Sequence, residues 1–186
     1  MKSQFDIETI ETVLAKADPL YTEREIAAAL DEMAENITEQ LRDKYPVCLS
    51  IMLGGLVPAG QLLPRLNFPV EMDYVHATRY RGATQGSKLH WFKYPSISLA
   101  NRIVLLIDDI LDEGLTLQAV VEYCQQNGAE QVFTAVLVEK QHERRTGIQH
   151  ADFTGLIVPD RYVFGYGMDY QEQLRYVAGI YAVHGL

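Results

Sequence analysis

Apolar residues recur at spacings of three and four from Ile26 through Leu30, Met33, Ile37 and Leu41, which sets them on one face of a helix. Thr22 and Glu25 stand just ahead as a T-x-x-E capping box, so the opening of the chain reads as helical, and Pro46 marks its close. Val47 to Leu53 is a mostly apolar strand that runs into Gly54-Gly55. Pro58 suits the first turn of a second helix, whose apolar residues continue to Leu66. Val70 to Tyr80 alternates as a strand with one wetter face, and Leu89 to Tyr94 reads as its return. Between them residues 81–90 are rich in glycine and small polar residues, a loop composition. Further strands are predicted at Ile103–Ile107, Val132–Val138 and Phe153–Val158, the last closed by Pro159, with an edge strand at Ile180–Val183. Thr116 to Gln126 fits a helix that Asn127-Gly128 stops. This strand–helix–strand alternation predicts an α/β fold with a mostly parallel sheet covered by helices on both faces. No repeat or long linker divides residues 1–186, which read as a single domain.

The run Ile103–Thr116, I-V-L-L-I-D-D-I-L-D-E-G-L-T, carries the chemistry. An apolar strand delivers Asp108 and Asp109 to its carboxyl end, where open α/β sheets bind ligands. Adjacent buried carboxylates repel, so hydroxyl donors or a cation are expected to join them. The loop Asp112–Thr116 then opens a helix, whose first amides offer an anion site. It is not a Walker A loop, because G-x-x-x-x-G-K-[ST] is absent.

Charge narrows the partners. With 16 basic and 25 acidic residues the net charge is −9, which argues against nucleic acid, whose phosphates want clustered Lys and Arg. No apolar run reaches membrane-spanning length and no signal-peptide pattern is present. Cys48 and Cys124 sit in apolar or helical contexts and read as reduced thiols. A cytoplasmic protein is expected. The five histidines show no metal-ligand spacing and read as ordinary surface or core residues. A lysine at a strand end that runs into polar residues, as Lys140 does into Gln141–Arg145, is usually solvated.

Further motifs stand in order along the chain: Gly54-Gly55 after an early strand, Tyr80 opening the Gly-rich loop, Leu137-Val138-Glu139-Lys140, Val158-Pro159-Asp160-Arg161-Tyr162-Val163-Phe164-Gly165-Tyr166, and Gly167-Met168-Asp169-Tyr170 with Arg175 beyond. With the acidic strand, this set resembles the hypoxanthine-guanine phosphoribosyltransferases, within the type I phosphoribosyltransferases. The likeness runs from about residue 20 to 183, and V-P-D…G-Y-G-x-D-Y is its most specific part.

The resemblance implies the type I fold, with a small hood from about residues 1–45 and 155–186 and a mobile loop at about 79–92 that carries Tyr80. It implies transfer of the phosphoribosyl group from 5-phosphoribosyl 1-pyrophosphate to hypoxanthine, guanine or both, with xanthine as a further candidate, with Mg²⁺ as cofactor and a homodimer or homotetramer as the assembly. Asp112 is the implied general base. Leu53, Gly54, Gly55, Asp108, Asp109, Asp112, Glu113, Gly114, Leu115, Thr116 and Arg175 are the implied site for the phosphoribosyl donor. Lys140, Tyr162, Val163 and Asp169 are implied on the purine, and Asp108, Asp109 and Asp169 on metal. A cis peptide between Met52 and Leu53 is also expected.

This chain departs from the family pattern at three places. Leu53 stands where a basic residue is common, Glu113 where Ser or Thr usually faces the 5′-phosphate, and Leu115 where lysine is common. The side chain of Glu113 is therefore expected to turn outward and leave the backbone to bind. Leu53 and Glu113 lend some support to a second reading, a non-catalytic sensor of nucleotides or phosphoribosyl compounds on the same fold. The set Asp112, Lys140, Asp169 and Arg175 argues against it. A receiver domain, which also carries an Asp-Asp strand end, is disfavoured because that pair closes the first strand there, whereas here about one hundred residues precede it.

Overall fold

The structure, a computed structural model, describes residues 6–79 and 89–185. The helices are α1 (Ile7–Lys16), α2 (Glu23–Leu41), α3 (Leu56–Leu62) and α4 (Leu115–Gln126). The strands are β1 (Asp18–Thr22), β2 (Val47–Met52), β3 (Glu71–Arg79), β4 (Leu89–Lys93), β5 (Ile103–Leu111), β6 (Gln131–Gln141), β7 (Phe153–Pro159), β8 (Val163–Phe164) and β9 (Gly179–Ala182). Six strands form one sheet in the order β4-β3-β2-β5-β6-β7, parallel except for β4. The chain builds outward from β2 to β3 and then returns to lay β5 on the other side of β2. That reversal puts the carboxyl ends of β2 and β5 side by side at a switch point, where such sheets open a crevice.

Strand periodicity fixes the layers. Leu105, Ile107, Ala135 and Leu137 face one side and pack under Ile26, Leu30, Met33 and Ile37 of α2 and Ala59 and Leu62 of α3. Val104, Leu106 and Val136 face the other side with Leu117, Val120 and Cys124 of α4. The capping box of α2 forms as expected, with Glu25 N–H donating to Thr22 Oγ1 and Thr22 N–H to Glu25 Oε2.

Two expectations at the chain's flanks need correction. The opening is not wholly helical, since β1 separates α1 from α2. Nor is the segment near Ile180 an edge of the main sheet. β9 is the middle strand of a second, three-stranded sheet, β1-β9-β8. Pro19 is tolerated in β1 because that strand is at the edge. This small sheet packs on α1 through Phe164, Leu174 and Val183 against Ile10, Val13 and Leu14.

Candidate active site

The acidic strand extends beyond its predicted end. β5 continues through both carboxylates to Leu111, because β6 keeps pairing with it: Asp108 lies opposite Val136 and Ile110 opposite Val138. On its other side β2 pairs only as far as Ile107. β2 then turns away through a cis peptide between Met52 and Leu53, as expected, into Gly54-Gly55. The space that β2 vacates is where the two acids sit. Asp108 and Asp109 are each 8 % exposed. Asp108 Oδ1 accepts from Asp109 N–H, and Asp109 Oδ1 from Ile110 N–H. Burial pushes both carboxyls up. Asp108 rises furthest because the charge of Asp109 lies beside it.

Arg175 is the nearest cation. Its Nη2 pairs with Asp169 Oδ1 at 2.7 Å, its Nη1 donates to Gly167 O, and the same nitrogen lies 3.8 Å from Asp109 Oδ2. One guanidinium thus faces carboxylates from two separate segments, leaving net negative charge in a buried place. Hard oxygen donors of this kind fit Mg²⁺. Among the described residues no three carboxylate, histidine or thiol side chains converge as a metal cage.

Next to the acids, Gly114 caps the start of α4, with a φ of 78° that suits glycine and no side-chain cap. The carbonyls of the loop are drawn backward: Glu113 O accepts from the N–H groups of Thr146 and Gly147, and Gly114 O from Ile148 N–H. The first-turn amides of α4, around Leu115 and Thr116, have no carbonyl partner within the helix, and such helix starts suit anions. Glu113 is exposed, in keeping with an outward side chain. Leu53 is also exposed.

A hollow opens from this rim, lined by Asp109, Ile110, Asp112, Lys140, Tyr162, Val163, Met168 and Asp169. Lys140 lies within β6 rather than past its end, and is 8 % exposed. Its Nζ meets Asp112 Oδ2 at 2.8 Å. Burial alone would raise the Asp112 carboxyl, but the hydrogen bond and charge of Lys140, with His142 and Arg144, hold it below its ordinary value. Tyr162 stands edge-on to Tyr170, and its hydroxyl accepts from Gln171 N–H. Val163 is held in the small sheet opposite Ala182.

A phosphoribosyl transferase domain model matches residues 16–173. Two relatives named hypoxanthine-guanine phosphoribosyltransferase, from Bacillus subtilis (strain 168) and from Staphylococcus epidermidis, are each 32 % identical over 157 residues, covering 84 % of this chain and 87 % of theirs. The chain belongs to the hypoxanthine-guanine phosphoribosyltransferase family. A solved hypoxanthine phosphoribosyltransferase from Staphylococcus aureus superposes with a TM-score of 0.86 at 27 % identity, covering 96 % of each chain. A hypoxanthine-guanine-xanthine phosphoribosyltransferase superposes at 0.80, also 27 % identical, over 89 % of this chain and 95 % of that one.

Within this phosphoribosyltransferase frame, Gly54 just after β2, Asp109 on β5, Asp112 beyond it, Lys140 on β6, and Asp169 and Arg175 meet around one rim. Tyr80 lies outside the described residues. The segment after Lys140, to which the sequence assigns no role, folds back onto the site. The side chains of His142 and Arg145 are 4 % and 6 % exposed. His142 Nε2 lies 2.7 Å from Asp112 Oδ1. Arg145 donates to the backbone carbonyls of both Asp112 and Lys140 and pairs with Glu139. Arg144 bridges Asp112 and Asp160. No apolar period marks these residues. Their one signal is a dense polar run directly behind a strand whose lysine had already been singled out.

Proposed function

We propose that the protein transfers the phosphoribosyl group of 5-phosphoribosyl 1-pyrophosphate to a 6-oxopurine, hypoxanthine or guanine and also xanthine, releasing pyrophosphate. The observation that carries this is the Lys140–Asp112 pair on the wall of the hollow. It presents one donor and one acceptor side by side. A 6-oxopurine protonated at N7 presents the complement on one edge, an acceptor at O6 and a donor at N7. Adenine has an amino donor where O6 would be and would leave the ammonium facing another donor, the kind of mismatch that sites built on buried polar groups reject.

The first-turn amides of α4 hold the 5′-phosphate, with the Thr116 hydroxyl. Asp108 and Asp109 accept from the ribose hydroxyls. Arg175 and the backbone of Leu53–Gly55 receive the pyrophosphate. Asp108 and Asp109 would hold one Mg²⁺ and Asp169 a second, and these ions would neutralise charge on the leaving pyrophosphate. Tyr162 covers the purine ring, and the small sheet behind Val163 forms the hood over it. The bond from purine N9 to C1′ forms as the bond from C1′ to the pyrophosphate oxygen breaks, and the N7 proton passes to Asp112 Oδ2. Lys140 turns from Oδ2 to O6 as the base enters, which frees that oxygen and raises its basicity when it is needed.

The protein is further proposed to act in the cytoplasm as a homodimer or homotetramer. Phe92 on β4, exposed and with the rings of His76 and His90 against it, supplies apolar surface for self-association, and among the described residues no helix is long and apolar enough to cross a membrane. The direct test is to incubate the protein with 5-phosphoribosyl 1-pyrophosphate, Mg²⁺ and each base. Nucleotide and pyrophosphate are expected with hypoxanthine, guanine or xanthine, and not with adenine. No product from any 6-oxopurine rejects the reading.

A further inference from the structure

Asp112 has two carboxylate oxygens, and each has its own partner: Lys140 at Oδ2 and His142 at Oδ1. The two contacts differ in kind. Lys140 reaches Oδ2 along a flexible stem and lines the open hollow. His142 is buried, and its other nitrogen is engaged as well, since Arg144 N–H donates to Nδ1 at 3.2 Å. A ring nitrogen that accepts cannot carry the proton, so the proton belongs on Nε2 and the ring donates to Asp112 Oδ1. The backbone of Arg144 therefore selects the tautomer that can hold the acid. Arg144 Nη2 also approaches Oδ1, at 3.4 Å, so a second contact at this oxygen is a donor too.

We propose that His142 is a positioning residue for phosphoribosyl transfer. It pins one oxygen of Asp112 so that the other faces purine N7 after Lys140 has moved to O6. The inference rests on the base role given to Asp112 above. Without His142 the carboxylate is free to rotate about χ2 and to follow Lys140 or Arg144, so the base would bind but meet a misdirected acceptor. The cost therefore falls on the proton-transfer step rather than on binding.

Two substitutions separate the two ring nitrogens. In His142→Gln the terminal amide reaches where Nε2 was and can still donate to Asp112. In His142→Asn the shorter amide can accept from Arg144 N–H in place of Nδ1 but cannot reach Oδ1. Single-turnover formation of nucleotide is the measurement, because slow product release can hide chemistry in steady state. The Asn variant is expected to slow it by about 10–100-fold, the scale of a misplaced reacting group. Purine affinity should stay within about threefold of the parent, and the Gln variant should recover most of the rate. The inference is overturned by parental speed in the Asn variant, by equal losses in both variants, or by a parallel loss of affinity for the nucleotide product. If the parent protein makes no nucleotide at all, the proposed reaction fails first. If the parent is active and the Asn variant keeps its rate, only the role of His142 fails.

Discussion

Gly54 lies flat against the carboxylate of Asp109: a methyl group built on this glycine would overlap both oxygens and the carbon that joins them. The turn after β2 and the acidic stretch of β5 are therefore fitted to each other at one atom's tolerance. Gly54→Ala must displace Asp109, and we expect about a 10²-fold loss in kcat/KM for the phosphoribosyl donor, the cost of misplacing reacting groups by roughly an ångström. Gly60 is the control. It lies in α3 with nothing within 4 Å of a built methyl group, so Gly60→Ala should keep full activity and raise stability by about 0.5–1 kcal/mol in a denaturant titration.

Asp112→Asn keeps the shape of the side chain and removes the proton acceptor. Turnover should fall by ~10²–10⁴. Binding of the nucleotide product, followed by calorimetry, should change far less. Equal turnover in the variant would remove Asp112 from the role of base.

Lys140→Met removes the donor proposed for O6 and leaves Asp112 without its closest cation. The ratio of kcat/KM for hypoxanthine over adenine is expected to fall by roughly 10-fold or more, as a charged hydrogen bond is worth about 1.5–3 kcal/mol. An unchanged ratio would place base selection elsewhere in the hollow.

The carboxylate of Asp73, 10 % exposed, offers a pH test away from the site. Burial alone would raise it, but the N–H groups of Tyr74, Ser96 and Ile97 and the ammonium of Lys93 outweigh that and lower it from 3.8. A depressed folded value means that its contribution to stability is complete above the unfolded value and is lost as pH falls through the folded one. Asp73→Asn should therefore cost about 1–3 kcal/mol at pH 7. The gap between variant and parent should close only below pH 3.8, as followed by urea unfolding across pH.

Cys48 and Cys124 are both free and buried, and burial pushes each thiol up to about 12. With almost no thiolate at pH 8, neither should react with iodoacetamide in the native protein. Both should react in urea, and mass spectrometry counts the adducts.

What the sequence made legible follows from which interactions are local. The α2 stripe, its cap and the apolar runs of β2, β5 and β6 each carry their own period, so they could be read one residue at a time. β1 could not. It spans five residues with Pro19 inside, and it becomes a strand only because Gly179–Ala182 returns from far along the chain to pair with it. His142 and Arg145 escaped for a similar reason. Their partners are Asp112 and its carbonyl, about thirty residues back, and the residues just after them are drawn in by backbone bonds to Glu113 and Gly114. Bonds between main-chain groups leave no mark on side-chain pattern. The end of β5 was read short because an acid looks like a stop, whereas a strand stops only when its neighbours do.

The three-stranded sheet has a consequence for biogenesis. β9 lies between β1 and β8, so neither outer strand has a ladder partner in that sheet until β9 has been made. On the ribosome the six-stranded platform can be assembled first, while the wall beside Tyr162 and Val163 waits for residues past 179. A nascent chain arrested shortly before that point would carry its acidic rim yet lack support for the base, so the ability to grip a purine would come only once β9 has emerged.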